Sequence, residues 1–374
     1  LIRVDPKTGK SRELLREESK TWVYRGELPR FLPDGSFLWQ SDRTGYRHLY
    51  HYSAEGKLLR AVTGTATDEW QVTRVVRVGE IGSRTWLWFE STKDGAINRN
   101  LYRTPLDGGP MPAVNGTEPT ERIQRLTHGP GRHSAQLNSA GTWLIDTVSS
   151  VAAMPEVRVG PANGDAQAVR VLGQAKAGPA MAEYGYAPKQ RLTIRARDGY
   201  PLDATIIKPL SAPAGKGYPV YLPTYSGPNA PSVRNQFSVS TVQQFLAQRG
   251  FLTLQVNVRS ASGRGIAHTG TCYKQLGVQE LIVINSYKVE KSFWNSPALS
   301  EEKVQDYLVN GLQQARDTVL PTVSFRKLFK PFVEDELPGI IQGTNALLAH
   351  PGAGEDCPHQ LNTAITLVIG PEGG

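Results

Sequence analysis

The strongest constraint on this chain is a change of character at one short string, Gln275-Leu-Gly-Val-Gln-Glu-Leu281. Before it, as far as about Gly178, short apolar runs alternate with tight-turn signals, as in antiparallel sheets, and an α/β pattern then opens. After it, strand-like runs alternate with a helical pattern, as in an α/β layer. The chain's 374 residues are long enough for two or three domains.

Charge divides at the same place. Residues 1–278 carry 35 Lys+Arg against 22 Asp+Glu, and residues 279–374 carry 7 against 12, which together give the net charge of +8. The arginines of the basic part are scattered among strands and turns, the pattern of a charge-mixed surface and not of a nucleic-acid face. The apolar fraction of 39% is ordinary for a soluble protein, and no run approaches the roughly 18 to 20 apolar residues of a membrane span. Cys272 and Cys357 fall one in each part, so no disulfide framework is expected. Cys357-Pro-His359 lacks the second pair of ligands that a metal site needs. The chain opens on Leu1 with no initiator Met and no leader-like segment, and is expected to begin inside something larger.

The basic part reads as a repeated unit. Phe31-Leu-Pro-Asp-Gly35 is a turn, Phe37-Leu-Trp39 a strand, Arg43-Thr-Gly45 a turn, Leu49-Tyr-His-Tyr52 a strand and Ala54-Glu-Gly56 a turn into Leu58 to Thr63. The unit recurs through Trp86-Leu-Trp-Phe89, Lys93-Asp-Gly95, Leu101-Tyr-Arg103, Leu106-Asp-Gly-Gly109 and Arg125-Leu-Thr127. A weaker copy follows in Ala135 to Gly141, Trp143-Leu-Ile145 and Glu156 to Val159. About four short strands every ~50 residues is the signature of propeller blades, and about three of them make an open arc. Beyond Gly178, Arg191 to Arg195, Asp198-Gly199 and Leu202 to Pro209 predict a hairpin. Tyr218 to Thr224, a helix over 242–249 and a strand over 251–258 then open an α/β sheet.

These strings carry a resemblance. Leu32-Pro-Asp-Gly35 with Thr44-Gly-Tyr-Arg-His-Leu-Tyr50, Tyr225-Ser-Gly-Pro228, Gln244-Phe-Leu-Ala-Gln248 and Val256-Asn-Val-Arg-Ser-Ala-Ser-Gly-Arg-Gly265 make residues ~1–281 similar to the dipeptidyl peptidase IV group of the prolyl oligopeptidase family. That resemblance implies a β-propeller capping an α/β-hydrolase, a peptide substrate and release of dipeptides from N-termini. It also implies that Tyr225 is the oxyanion-hole hydroxyl; the residues by themselves read equally as a packed aromatic at a turn. The acidic pair that holds the substrate amine in this family would lie upstream of Leu1. No Gly-x-Ser-x-Gly occurs, so the strained serine elbow is missing, with the Asp and His that should follow it. His268 reads as an ordinary loop histidine.

In the acidic part, Leu281 to Tyr287 predicts a strand. Ser300 reads as an N-cap before a helix reaching about Arg316, with Val304, Tyr307, Leu308, Gly311, Leu312 and Ala315 as its core-facing stripe. Val319 to Phe325 reads as extended, Pro331 to Ile341 as a short helix, and Ala346 to His350 and Ile365 to Ile369 as strands. Asn285 to Ser292, Gly311 to Thr318, Phe329 to Asp335, His350-Pro-Gly352 and Ile369-Gly-Pro-Glu-Gly-Gly374 together resemble the family that methylates N3 of a uridine in 16S ribosomal RNA, a group of SPOUT methyltransferases. The resemblance implies S-adenosylmethionine as cofactor, held by His350, Pro351, Gly352, Ile369, Gly370, Pro371, Glu372, Gly373 and Gly374. It also implies ribosomal RNA as partner, and Arg316 near the base or cofactor. The family's RNA-binding barrel is replaced here by peptidase-like sequence, and its knot-closing segment would follow Gly374, so weak or absent cofactor binding is expected.

The expected fold class is mixed β and α/β, with a partial β-propeller of about three blades over 1–178, a truncated α/β-hydrolase over 184–278 and a truncated SPOUT-type α/β core over 279–374. The peptidase part implies the cell envelope and the methyltransferase part the cytoplasm; oligomeric state is left open. The expected function is a catalytically inactive composite of the two families, with rRNA methylation or non-catalytic peptide binding as the alternatives. No Gly/Ser/Pro-rich linker separates the parts, and both families carry a similar Leu-Gly-Val string at the join, where a recombination or read-assembly template switch would fall. Long single-molecule reads of the locus are expected to separate the two halves. One continuous frame with intact flanking domains on both sides would overturn that reading.

Overall fold

The computed structural model describes residues 1–21, 23–24, 26–114, 116, 121–210, 217–223, 225, 227–261, 263–272, 280–285, 294–315, 320–349 and 363–369. The chain divides into two compact units, Leu1–Gln275 and Leu276–Gly374.

The first unit opens with a hairpin of β1 (Ile2–Val4) and β2 (Ser11–Glu13). Three four-stranded antiparallel sheets follow, each ordered as in the sequence. The first holds β3 (Arg30–Phe31), β4 (Phe37–Ser41), β5 (His48–Tyr52) and β6 (Leu58–Ala61). The second holds β7 (Val72–Ile81), β8 (Arg84–Ser91), β9 (Asn100–Pro105) and β10 (Gln124–Arg125). The third holds β11 (Arg132–Leu137), β12 (Trp143–Ser149), β13 (Glu156–Pro161) and β14 (Arg170–Gln174).

The uninterrupted apolar run of β8 has a simple cause. Successive side chains on a strand point to opposite faces. Leu87 and Phe89 enter a core with Leu38, Leu49, Trp70 and Tyr102. Trp86 and Trp88 enter a second core with Leu101, Leu126, Ala135 and Leu144. The middle sheet is therefore buried on both faces, and alternation of apolar with polar residues disappears there. The far face of the third sheet differs, leaving Trp143 and Ile145 half exposed.

A repeated hydrogen-bond device joins each sheet to the next. Leu49 N donates to Thr63 Oγ1 at 2.9 Å, and Leu101 N to Thr127 Oγ1 at 3.1 Å. Val72 N donates to Arg47 O at 2.7 Å, and His133 N to Arg99 O at 2.9 Å. The strings Arg47-His-Leu-Tyr50 and Arg99-Asn-Leu-Tyr102 therefore occupy equivalent places, with His48 matching Asn100.

The remainder of the first unit is a mixed sheet ordered β15 (Lys189–Arg195), β16 (Pro201–Ile207), β18 (Leu252–Val256), β17 (Val220–Tyr221), with only β17 and β18 parallel. Helix α1 (Pro179–Glu183) leads into it, α2 (Thr241–Gln248) precedes β18 and α3 (Gly265–Thr269) follows it. Ser240 caps α2, its Oγ accepting from Gln243 N at 3.4 Å. Ala247 of α2 packs with Ala187 and Ile207. The connection before α2 is strapped to the antiparallel sheets, since Asn235 Nδ2 donates to Asn98 Oδ1 at 2.8 Å and Asn235 Oδ1 accepts from Val151 N at 3.1 Å.

In the second unit, β19 (Glu280–Ile284) and β20 (Thr322–Arg326) pair in parallel, with α4 (Glu301–Ala315) between them in sequence. Ser300 Oγ accepts from Lys303 N at 3.4 Å, and Glu301 and Glu302 stand in the first turn, where the helix dipole favours them. A helical stretch α5 runs from Phe329 to Ile340 with a π-type turn over Phe332–Glu336. Strands β21 (Asn345–Ala349) and β22 (Ile365–Ile369) form another parallel pair. Among the described residues no helix is long and apolar enough to cross a membrane.

The structure corrects the sequence reading in places. Of the α4 stripe, Tyr307 is 58% exposed and Val304 and Leu308 are only half-buried, which is not the burial of a core face; the side chains of Gly311, Leu312 and Ala315 lie outside the description. Strand β7 escaped notice because register shifts at Val72/Arg74 and Val75/Arg77 break its period of two. The Tyr218 to Thr224 strand shortens to two residues.

His48 is fully buried, its ring edge against Trp70 at 4.7 Å between centroids. Gly64 lies beneath it, where a Cβ would come 2.0 Å from His48 Cε1. Burial pushes the His48 pKa below the ordinary 6.5, and Asp68 offsets only part of that shift. A histidine with a depressed folded pKa binds its proton more weakly when folded, so its stabilisation is complete above pH ~6.5 and is lost as the pH falls below that value. The urea midpoint of the full chain, read by tryptophan fluorescence, is expected to drop between pH 7 and pH 5. His48→Asn, which copies the equivalent Asn100, is expected to flatten that drop by up to about 1.4 kcal/mol per unit of pKa difference. Equal acid slopes for the two proteins would exclude His48 as the source.

Candidate functional site

A cavity of about 460 Å³ in the first unit lies between residues of the Glu17–Tyr24 stretch, the β4–β5 turn and α3. Glu17 builds its floor. Its carboxylate accepts from Trp39 Nε1 at 2.9 Å, from Ser41 Oγ at 2.8 Å and from Arg43 at 2.7 Å. Arg43 in turn lies 4.4 Å above the Tyr50 ring. These contacts fix strand β4 and the turn that follows it. Ile266 of α3 closes the other wall, its N–H donating to Gly45 O at 2.8 Å. Asp42 also faces the cavity; burial pushes its carboxyl above the usual range, and Arg47 at 3.2 Å offsets part of the effect. Glu18 and Lys20 line the cavity as well. Such a mixed, acid-bearing recess suits polar or amine-bearing chain segments. Sequence reasoning missed it, because Glu17-Glu18 looks like any surface charge pair until β4 is folded beside it.

Tyr225 stands away from such support. It is 58% exposed, and its ring lies so near Gly227 that a Cβ there would sit 2.8 Å from the phenol oxygen. His268 contacts other groups: its ring is 4.7 Å from that of Tyr200. Its pKa is lowered first by burial and then by Arg259 and Arg264. Those arginines are held by Asp198, at 2.5 Å from Arg259, and by Asp203. The histidine therefore belongs to a packed ionic corner.

In the second unit, Arg316, His350, Pro351, Gly352, Gly370, Pro371, Glu372, Gly373 and Gly374 lie outside the described residues. Ile369 is described and is exposed at the end of β22. The parallel register places Ala349 beside Ile369. β21 and β22 thus end at one edge, the carboxyl side of a parallel pair, where α/β layers bind ligands. To this extent the topology fits a cofactor such as S-adenosylmethionine. Among the described residues no cluster of metal-ligating side chains occurs.

The class defined by these features is a sheet-rich protein joined to a parallel strand–helix–strand unit. Residues 1–155 match the family model of the dipeptidyl peptidase IV (DPP IV) N-terminal region, and residues 269–374 match that of an RNA methyltransferase domain. Dipeptidyl peptidase 8 of Mus musculus is 24% identical over 312 residues, covering 72% of this chain and 32% of its own length. Dipeptidyl peptidase 8 of Homo sapiens is 23% identical over 305 residues, with the same coverages of 72% and 32%. The chain spans about a third of the length of these relatives. In fold, it is similar to the crystal structure of Porphyromonas gingivalis dipeptidyl peptidase 4, with a TM-score of 0.58 and 24% identity, covering 75% of this chain and 37% of that one.

Removing Glu17 leaves an indole N–H, a hydroxyl and a guanidinium without their shared acceptor. Glu17→Ala is expected to destabilise the chain by about 1–3 kcal/mol, read as a lower urea midpoint. An unchanged midpoint would mean that water replaces the carboxylate without loss.

Proposed function

We propose that the chain is a catalytically incompetent composite. In this reading the three four-stranded sheets are blades of a partial β-propeller over 1–178, and 184–278 is the start of an α/β-hydrolase of dipeptidyl peptidase IV type. Residues 279–374 derive from a SPOUT methyltransferase acting on N3 of a uridine in 16S ribosomal RNA. The observation that carries the reading is internal to the chain. After β18 and α3, where a hydrolase needs a further helix, strand and serine elbow, the RNA methyltransferase match begins at residue 269, and no Gly-x-Ser-x-Gly occurs in the sequence. An exposed tyrosine hydroxyl such as that of Tyr225 stabilises an oxyanion only beside a nucleophile.

A second reading, methyl-donor binding by the second unit, is supported by the parallel pairing of β21 with β22, which ends both strands at one edge, and by the RNA methyltransferase match. In it His350 to Gly352 and Ile369 to Gly374 would hold S-adenosylmethionine, which supplies an electrophilic methyl group, and Arg316 would stand near the RNA base or the cofactor. The acidic charge of that unit opposes retention of a polyanion. The 460 Å³ recess supports a third reading, peptide binding without hydrolysis.

The test sets these readings against one another. The full chain is expected to leave Gly-Pro-p-nitroanilide unhydrolysed above the buffer rate and to give no saturable heat with S-adenosylmethionine. Hydrolysis abolished by Tyr225→Phe would overturn incompetence in favour of a peptidase. Micromolar donor binding lost in Gly370→Arg would move the function to methyl transfer.

A further inference from the structure

A second cavity, of about 260 Å³, lies under the loop from Pro231 to Ser238. It is lined by Lys189 of β15, Thr205 of β16, Ser232, Arg234, Gln236 and Ser238 among others, and no carboxylate is among its lining residues. Lys189 is half-buried, and its ammonium donates to Ser238 Oγ at 2.9 Å with no acidic partner. Arg234 has no ion pair or side-chain hydrogen bond among the described residues.

The surroundings add charge of the same sign. Arg99 and Arg132 are bridge neighbours between the second and third sheets, and Arg234 is near enough to disfavour the charge on both. Arg99 is buried, and its Nη1 donates only to carbonyls, Ala96 O at 2.9 Å and Asn98 O at 2.6 Å. Arg132 has no ion pair among the described residues. The carboxylate acting on Arg99 and Arg132 is Glu90, which Arg74 already engages at 2.6 Å. Arg132 and Arg99 thus share one partly neutralised acid.

These cations cannot disperse freely, because the loop backbone is clamped. Asn257 accepts from Val233 N at 2.7 Å and donates to Val233 O at 2.8 Å, while Asn235 N donates to Ile97 O at 3.0 Å. Like charges held together in a recess lined by hydroxyls and amides complement a negatively charged ligand with several acceptor oxygens.

We propose that the cavity under the Pro231–Ser238 loop binds a small oxyanion, contacted by Lys189 and Arg234, with Arg132 and Arg99 supplying a supporting positive field. Burial and repulsion from neighbouring arginines lower Arg99 to about 10 and lower Arg132 as well, and burial lowers Lys189, in keeping with cations that lack a resident partner. The shared chemistry is a phosphate or a carboxylate, from free phosphate or from the carboxyl end of a short peptide. The proposal depends on neither peptidase nor methyltransferase activity.

Isothermal titration of the full chain with inorganic phosphate, and separately with N-acetyl-Ala-Ala, reads the site. Saturable one-to-one binding of either ligand, weakened at least tenfold in Arg234→Gln, is expected. The tighter of the two identifies the source of the oxyanion. Lys189→Gln is expected to act in the same direction, and Arg234 is exposed, so its substitution leaves folding intact. Absence of saturable heat with both ligands, or affinity unchanged in Arg234→Gln, would overturn the proposal.

Discussion

Burial of strand β8 on both faces is the constraint on which the first unit depends. Trp86 and Trp88 look one way, Leu87 and Phe89 the other, and each pair belongs to a separate core. One strand therefore couples three successive sheets, and loss of a buried tryptophan such as Trp88 would open a cavity of a kind that costs about 3–5 kcal/mol. The hydroxyls of Thr63 and Thr127 close the ends of two of these sheets by the same hydrogen bond. Repetition here is physical as well as textual, because the same unsatisfied N–H recurs wherever the same short fourth strand leaves the ladder.

The mixed sheet of the first unit is held to these antiparallel sheets by polar groups more than by apolar contact. Asn235 and the Ile266–Gly45 bond do much of this work. Polar attachment brings recesses with it, since hydrogen-bonded loops pack less densely than interdigitated apolar side chains. One recess collects acids around Glu17, the other collects cations around Arg234. The two differ in lining although they belong to the same compact unit, the first mixed in charge and the second without a carboxylate.

In the second unit the parallel register of β21 with β22 is the decisive contact. Parallel pairing brings the carboxyl ends of two strands, Ala349 and Ile369, to one edge. The large apolar side chains left exposed there, Leu348, Leu367 and Ile369 among them, are those that two-stranded sheets cannot cover.

The sequence by itself determined the strands whose alternation or turn chemistry is local, such as β4, β5, β12 and β16, the Ser300 cap of α4, and the place where one family likeness gives way to another. These follow from neighbouring residues, so short-range physics suffices. It did not disclose β7, whose bulges erase the period, nor the exposure of Tyr307, which depends on what packs against the helix. Glu17 and Arg234 look like ordinary surface charges in the string. Only tertiary structure decided their settings, because a charge acquires its partners, or goes without them, when residues distant in sequence fold around it.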